Sequence, residues 1–235
     1  MNTLNILSGG AAQGLVGSLA AKFKTLTGFD IGGEFGAVGA MADKLRKGTP
    51  TDIVILTAAL VARLAEEKLV VPASISDVGL VETALAVRAG DPRVRATDAA
   101  TLRAAFLAAD AIFVPDTKTS TAGIHVAKVL AQLGIAEEVA ARLKIYPNGA
   151  TAMHHMAESR AAKPLGCTQS TEIISTEGVE LSGSLPEGYD LATMYTAGVT
   201  TQAAHARQAK ALIELLTGAD QQSLRSAAGF LGVAR

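Results

Sequence analysis

Short apolar runs alternate along this chain with longer segments of helical period. Residues 4–7 predict a strand, Gly9 and Gly10 a turn, and residues 14–25 a helix with Leu15, Leu19 and Phe23 on one face. The pattern then repeats. Residues 29–35 read as a strand, 36–39 as a glycine-rich turn, and 40–47 as a helix that points Met41 and Leu45 inward. The β-branched run 52–56 is a third strand, and a helix follows over 58–67. Further strands are predicted at 79–89, 111–115, 143–146, 165–168 and 189–199. Helices are predicted at 97–108, capped by Thr97 and Asp98, at 123–133, from the turn at 148–151 to 159, and at 203–216. Strand, turn and helix in this rhythm describe an α/β protein in which helices wrap a mostly parallel sheet.

Composition narrows the function. A chain of 235 residues that is 49% apolar can bury a substantial core. Its 21 Lys and Arg balance 22 Asp and Glu without long runs of one sign, so no basic face is offered to nucleic acid. Trp is absent and aromatics are scarce, which removes the usual stacking platforms for bases and sugars. The expected ligand is small and polar. No window approaches the ~20 apolar residues of a membrane span. Residues 1–8 lack a signal-peptide pattern, so the chain as written is expected in the cytoplasm, or in the periplasm if it was trimmed and given a new Met.

Four strand-to-helix turns are made largely of small residues: Ser8-Gly9-Gly10-Ala11-Ala12, Gly36-Ala37-Val38-Gly39-Ala40, Lys118-Thr119-Ser120-Thr121-Ala122-Gly123, and Asn148-Gly149-Ala150-Thr151-Ala152. Small side chains let backbone N–H groups approach a ligand closely. Helix N-termini add unpaired donors and partial positive charge, so several such turns together could hold an anion without cationic side chains. Any one of them is also what ordinary turns and caps contain. Their repetition is the signal.

Residues 121–134 (TAGIHVAKVLAQLG), 164–172 (PLGCTQSTE), 6–12 (ILSGGAA) and 50–56 (PTDIVIL) carry a resemblance to the molybdate-receptor-like branch of the type 2 periplasmic binding proteins. It extends over essentially the whole chain. The resemblance implies two lobes, one formed by residues 1–80 and 199–235 and the other by 81–198, with two crossover strands and a hinge near 81–88 and 191–199. A small anion would be held between them, with an ABC permease as partner if the protein is exported. Carried over residue by residue, Gly10 and the stretch Ala37-Val38-Gly39 stand where serine hydroxyls are expected, and Gln169 stands where a tyrosine is common. Ala122 keeps a backbone-donating position and Thr151 a helix start, with Ser170 beside Gln169. The missing hydroxyls turn the expectation from a tetrahedral oxoanion toward a small carboxylate, whose planar group suits paired N–H donors and the Gln169 amide.

An enzyme on the same scaffold is the alternative. Aconitate isomerase is similar to this branch, and an allylic proton shift on an unsaturated polycarboxylate would need a base and donors at the carboxylate. His125 and Glu172 are the candidate proton carriers, each with a structural reading beside it: a packed or capping histidine, a carboxylate next to a turn. Adjacent His154 and His155 are read as lacking an acid at metal-ligand spacing, so neither metal nor cofactor is expected. Cys167, alone in the chain, is read as a small core residue rather than a nucleophile.

Overall fold

The computed structural model of the chain describes residues 2–232. In chain order the elements are β1 (Thr3–Gly9), α1 (Gln13–Thr27), β2 (Asp30–Gly36), α2 (Val38–Arg46), β3 (Ile53–Thr57), α3 (Ala58–Glu66) and β4 (Ser76–Arg88). Next come α4 (Ala99–Ala108), β5 (Ala111–Pro115), α5 (Thr121–Gln132), α6 (Ala136–Val139), β6 (Leu143–Tyr146), α7 (Gly149–Ala157) and β7 (Pro164–Gln169). The chain closes with α8 (Ser170–Ile174), β8 (Val179–Ser184), β9 (Ala192–Val199), α9 (Ala206–Thr217) and α10 (Gln222–Ala227). It forms two compact α/β units, one from the residues up to Val81 together with those from Thr193 onward, the other from Glu82–Ala192. β4 and β9 carry the chain from one unit to the other.

In the first unit the sheet order is β2-β1-β3-β9. β1 is parallel to both β2 and β3, with Gly9 opposite Gly36 and Ser8 opposite Ile55, so all three strands end along one edge. β3 is a continuous apolar run because both its faces are covered, as parallel strands usually are. Leu15, Leu19 and Phe23 of α1 are fully buried against Leu4, Ile6 and Ile53, each burial worth about 1.5–3 kcal/mol. Gly28, with a φ of 74°, ends α1 in the left-handed region that other residues avoid.

In the second unit the order is β4-β7-β5-β6, and β8 adds to β4. β5 runs parallel to β6 and β7, while β4 is antiparallel to β7 and β8. Alternation of side chains across the sheet divides the core in two. Leu85, Ile112, Val114, Leu165 and Cys167 pack under α4 and α5, whereas Ala84, Ala86, Ala111 and Phe113 pack under α7 with Ile173 of α8.

Several boundaries differ from the sequence reading. β5 and β6 fall where expected, but α2 and α5 each begin two residues early, so part of each small-residue turn is already helix. The strand expected from residue 189 begins at Ala192, because residues 186–189 form a turn closed by the Tyr189 N–H on the Pro186 carbonyl. β8 and the short α6 and α8 were not expected. Among the described residues no helix is long and apolar enough to cross a membrane.

Candidate functional site

Parallel strands release the chain at one edge of a sheet, and in the second unit this edge gathers the starts of α5, α7 and α8. The turn into α5 is tied down by Asp116. Its Oδ1 accepts from the N–H groups of Lys118 (2.9 Å) and Thr119 (2.7 Å) and from the Thr119 hydroxyl (2.8 Å), and these donors hold the carboxyl below its ordinary range. Thr119 is thereby occupied within the turn. Ser120 is the N-cap but makes no side-chain capping bond, so Thr121, Ala122 and Gly123 open the helix with N–H groups that have no intrahelical acceptor. Gly123 is required for this approach, because a Cβ there would lie 2.1 Å from the Asp116 carbonyl oxygen.

α7 begins quite differently. Asn148 Oδ1 accepts from the Thr151 N–H at 2.8 Å, and the Gly149 and Ala150 N–H groups donate to the carboxylate of Glu172. Glu172 is only 4% exposed and also accepts from the Thr168 hydroxyl at 2.6 Å and from the Gln169 N–H. Burial pushes its carboxyl up from the ordinary range, with those four donors pulling the other way. The α7 start is therefore satisfied from within the protein, and the main-chain donor expected at Thr151 is spent.

Gln169 ends β7 beside these turns. It is 3% exposed, and neither its amide oxygen nor its amide nitrogen has a hydrogen-bond partner. Cys167 and Leu165, two and four residues earlier, face α5, so alternation turns the Gln169 side chain to the α5 side as well. Extending the pairing of Phe113 with Gly166 by three residues brings Gln169 level with Asp116, where the chain turns toward α5. Ser170 is buried as the first residue of α8.

The first unit has turns of similar make. β1 runs into a 3₁₀ turn at Gly10–Ala12, β2 into α2 and β3 into α3, and the N-caps Gly9, Ala37 and Thr57 make no side-chain capping bond. Gly9 opposite Gly36 sets the first two turns side by side. A Cβ on Gly9 would meet Val38 Cγ1 at 2.8 Å and Tyr195 at 2.9 Å, so the missing side chain lets both pack against the end of β1. The Ser8 hydroxyl is fully buried and bonds the Gly9 carbonyl at 2.9 Å, and Ala11 belongs to the core, while Gly39 lies within the first turn of α2. Thr57, absent from the expected set, ends a strand parallel to β1. Its turn contains no glycine, and only the repeated strand-to-helix order could have revealed it.

The histidines and the cysteine have defined surroundings. His125 Nε2 donates to the Tyr189 carbonyl at 2.7 Å, holding the ring to the loop before β9. The reading of His154 needs correction: Glu158 lies at i+4 and 3.5 Å away on an exposed helix face, while the His155 ring stacks on Tyr146 at 4.5 Å. Among the described residues no three His, Cys, Asp or Glu side chains cluster to hold a metal ion. Cys167 is buried, and desolvation pushes its thiol up to about 12, where it is no nucleophile.

Comparison with known proteins agrees with this architecture. The periplasmic molybdate-binding protein of Azotobacter vinelandii superposes with a TM-score of 0.81 at 18% identity, covering 98% of this chain and all of that one. The sulfate-binding protein SubI from Mycobacterium tuberculosis H37Rv superposes with a TM-score of 0.75 at 19% identity, covering 99% and 88%. An aconitate isomerase from a Pseudomonas species is 22% identical in an alignment 231 residues long that covers 94% of this chain and 84% of that protein. The fold, two α/β units joined by two strands, is thus shared with these structures. Residues 4–231 match the family model of the bacterial extracellular solute-binding proteins, and the chain belongs to that family.

Proposed function

We propose that the protein binds a small anion, a carboxylate before an oxoanion, at the opening turn of α5 beside Gln169. The buried, unpartnered amide of Gln169 carries this reading. An orphaned buried polar atom costs about 1–3 kcal/mol, so a side chain with both ends unpaired is best explained by a ligand that pairs them. The Thr121, Ala122 and Gly123 N–H groups supply donors and the positive end of the α5 dipole. The names of the structural neighbours, which bind molybdate and sulfate, support an anion. The preference for a carboxylate rests on Gln169, whose planar amide, together with the paired N–H donors of the α5 start, suits a planar carboxyl group better than a tetrahedral oxoanion. An ABC permease is the proposed partner if the protein is exported.

Titration calorimetry against sulfate, molybdate and a series of mono-, di- and tricarboxylates tests this. Saturable binding of at least one carboxylate, tighter than either oxoanion, is expected; tighter oxoanion binding, or no binding at all, contradicts it. The similarity to aconitate isomerase favours a second reading, in which the bound carboxylate is also isomerised. Glu172 and the His125 Nε2 are already engaged, leaving His125 Nδ1 as the freer proton carrier. Conversion of trans-aconitate, followed by absorbance and lost in His125→Phe, would establish that activity.

A further inference from the structure

We infer that Thr83 is a second ligand-reading side chain, and that with Gln169 it selects a carboxylate bearing a hydroxyl group. This rests on the proposed anion site and names the class of its ligand. Thr83 lies directly opposite Gln169 in the β4–β7 ladder, is 1% exposed, and its hydroxyl has no partner. Thr171 and Thr193 also have unpartnered hydroxyls, but only Thr83 shares a ladder position with Gln169. Its backbone is fixed, the N–H donating to the Leu191 carbonyl at 2.9 Å. Opposed residues of an antiparallel pair lie on one face with Cβ atoms about 4.5–5.5 Å apart, so the two polar ends can meet a common ligand. Leu85, two residues on, packs under α5, which sets Thr83 on the α5 side with Gln169.

Donor and acceptor counting then defines the ligand. An ionised carboxylate or oxoanion only accepts, and it can take hydrogen bonds from the α5 N–H groups, the Gln169 NH₂ and the Thr83 hydroxyl. The Gln169 carbonyl oxygen would remain unpaired. A ligand hydroxyl completes the set, donating to Gln169 Oε1 while accepting from Thr83. An ammonium would satisfy the oxygen too, but it would enter a buried site without a counter-charge: Glu82 points to the opposite face and is bonded by Ser184, and Asp116 Oδ1 is taken by its own turn. The hydroxyl is the group that fits.

The test compares acids that differ by one hydroxyl, citrate with tricarballylate and malate with succinate, by calorimetry on the full chain. In the wild type the hydroxylated member of at least one pair should bind about tenfold tighter or more, because its absence strands a buried acceptor. Thr83→Val and Gln169→Leu should each bring that ratio below about threefold, whereas Thr83→Ser, which keeps the hydroxyl, should preserve it. Equal affinities within both pairs in the wild type overturn the inference even if a variant fails to fold, and a Thr83→Val protein that keeps the full ratio overturns the role of Thr83. Binding of carboxylates without hydroxyl preference sinks this inference alone. Absence of all carboxylate binding sinks the anion site with it.

Discussion

Replacing Gly149 by alanine is expected to cost about 3–5 kcal/mol of folding stability, the range for leaving a buried polar or charged group without its partners. The new Cβ would lie 1.9 Å from Glu172 Oε2 and 2.0 Å from Thr168 Oγ1. Both atoms are buried and bonded to each other, so neither can move without breaking the donor set that holds the carboxyl. A domain has only about 5–15 kcal/mol in total, and the denaturation midpoint should fall steeply. The same carboxyl sets a pH dependence. Burial raises its pKa above the ordinary 4.5, so the folded state holds the proton more tightly than the unfolded chain. Its contribution is complete below that ordinary value and is lost as pH rises through the folded-state value. The stability of the wild type relative to Glu172→Gln, which cannot titrate, should therefore decline as pH climbs from 4.5 toward neutrality. A flat difference would contradict this account of Glu172.

Gly123→Ala should have the largest effect on binding. Here the obstruction is backbone: a Cβ would meet the Asp116 carbonyl oxygen at 2.1 Å and the Pro115 carbonyl oxygen at 2.6 Å. Neither can swing aside as a side chain could, so the first turn of α5 must shift away from β5 and carry its N–H groups with it. A displacement of about 1 Å at a binding constellation costs on the order of 100-fold, and affinity for the best carboxylate should fall by about that factor. The loss should exceed that of Gln169→Leu, which removes one side chain and leaves the main-chain donors in place. Calorimetry on the two variants ranks them; near wild-type affinity in Gly123→Ala would show that the α5 start does not hold the ligand.

The alternation of apolar strands with helices was enough to read both units as α/β, and β5 and β6 were legible to the residue because β5 is a continuous apolar run and β6, Leu143-Lys144-Ile145-Tyr146, a short segment cut off by Pro147 and Asn148. β8 was not. It is an edge strand with a single buried residue, and its register shift opposite Leu85/Ala86 breaks any period-two signal. α8, with five residues, is too short to show a helical period. Four turns of small residues looked alike in sequence, yet they differ in what already occupies their donors. Asn148 and Glu172 close the α7 start, while the α5 start is left open, and Glu172 reaches Gly149 only through the pairing of β5 with β6 and β7. Such long-range pairing leaves no trace in local residue patterns. The acid four residues after His154 was visible in the chain and is an ordinary exposed i,i+4 pair.

Residue-resolved amide shifts of isotope-labelled protein, followed by NMR while citrate is added, bear most directly on whether main-chain donors hold the ligand. The N–H signals of Thr121, Ala122 and Gly123 should move together and saturate, and those of Gly149 and Ala150 should move far less because Glu172 already occupies them. Large shifts at Gly149 and Ala150 with none at Ala122 and Gly123 would place the anion elsewhere and contradict the account.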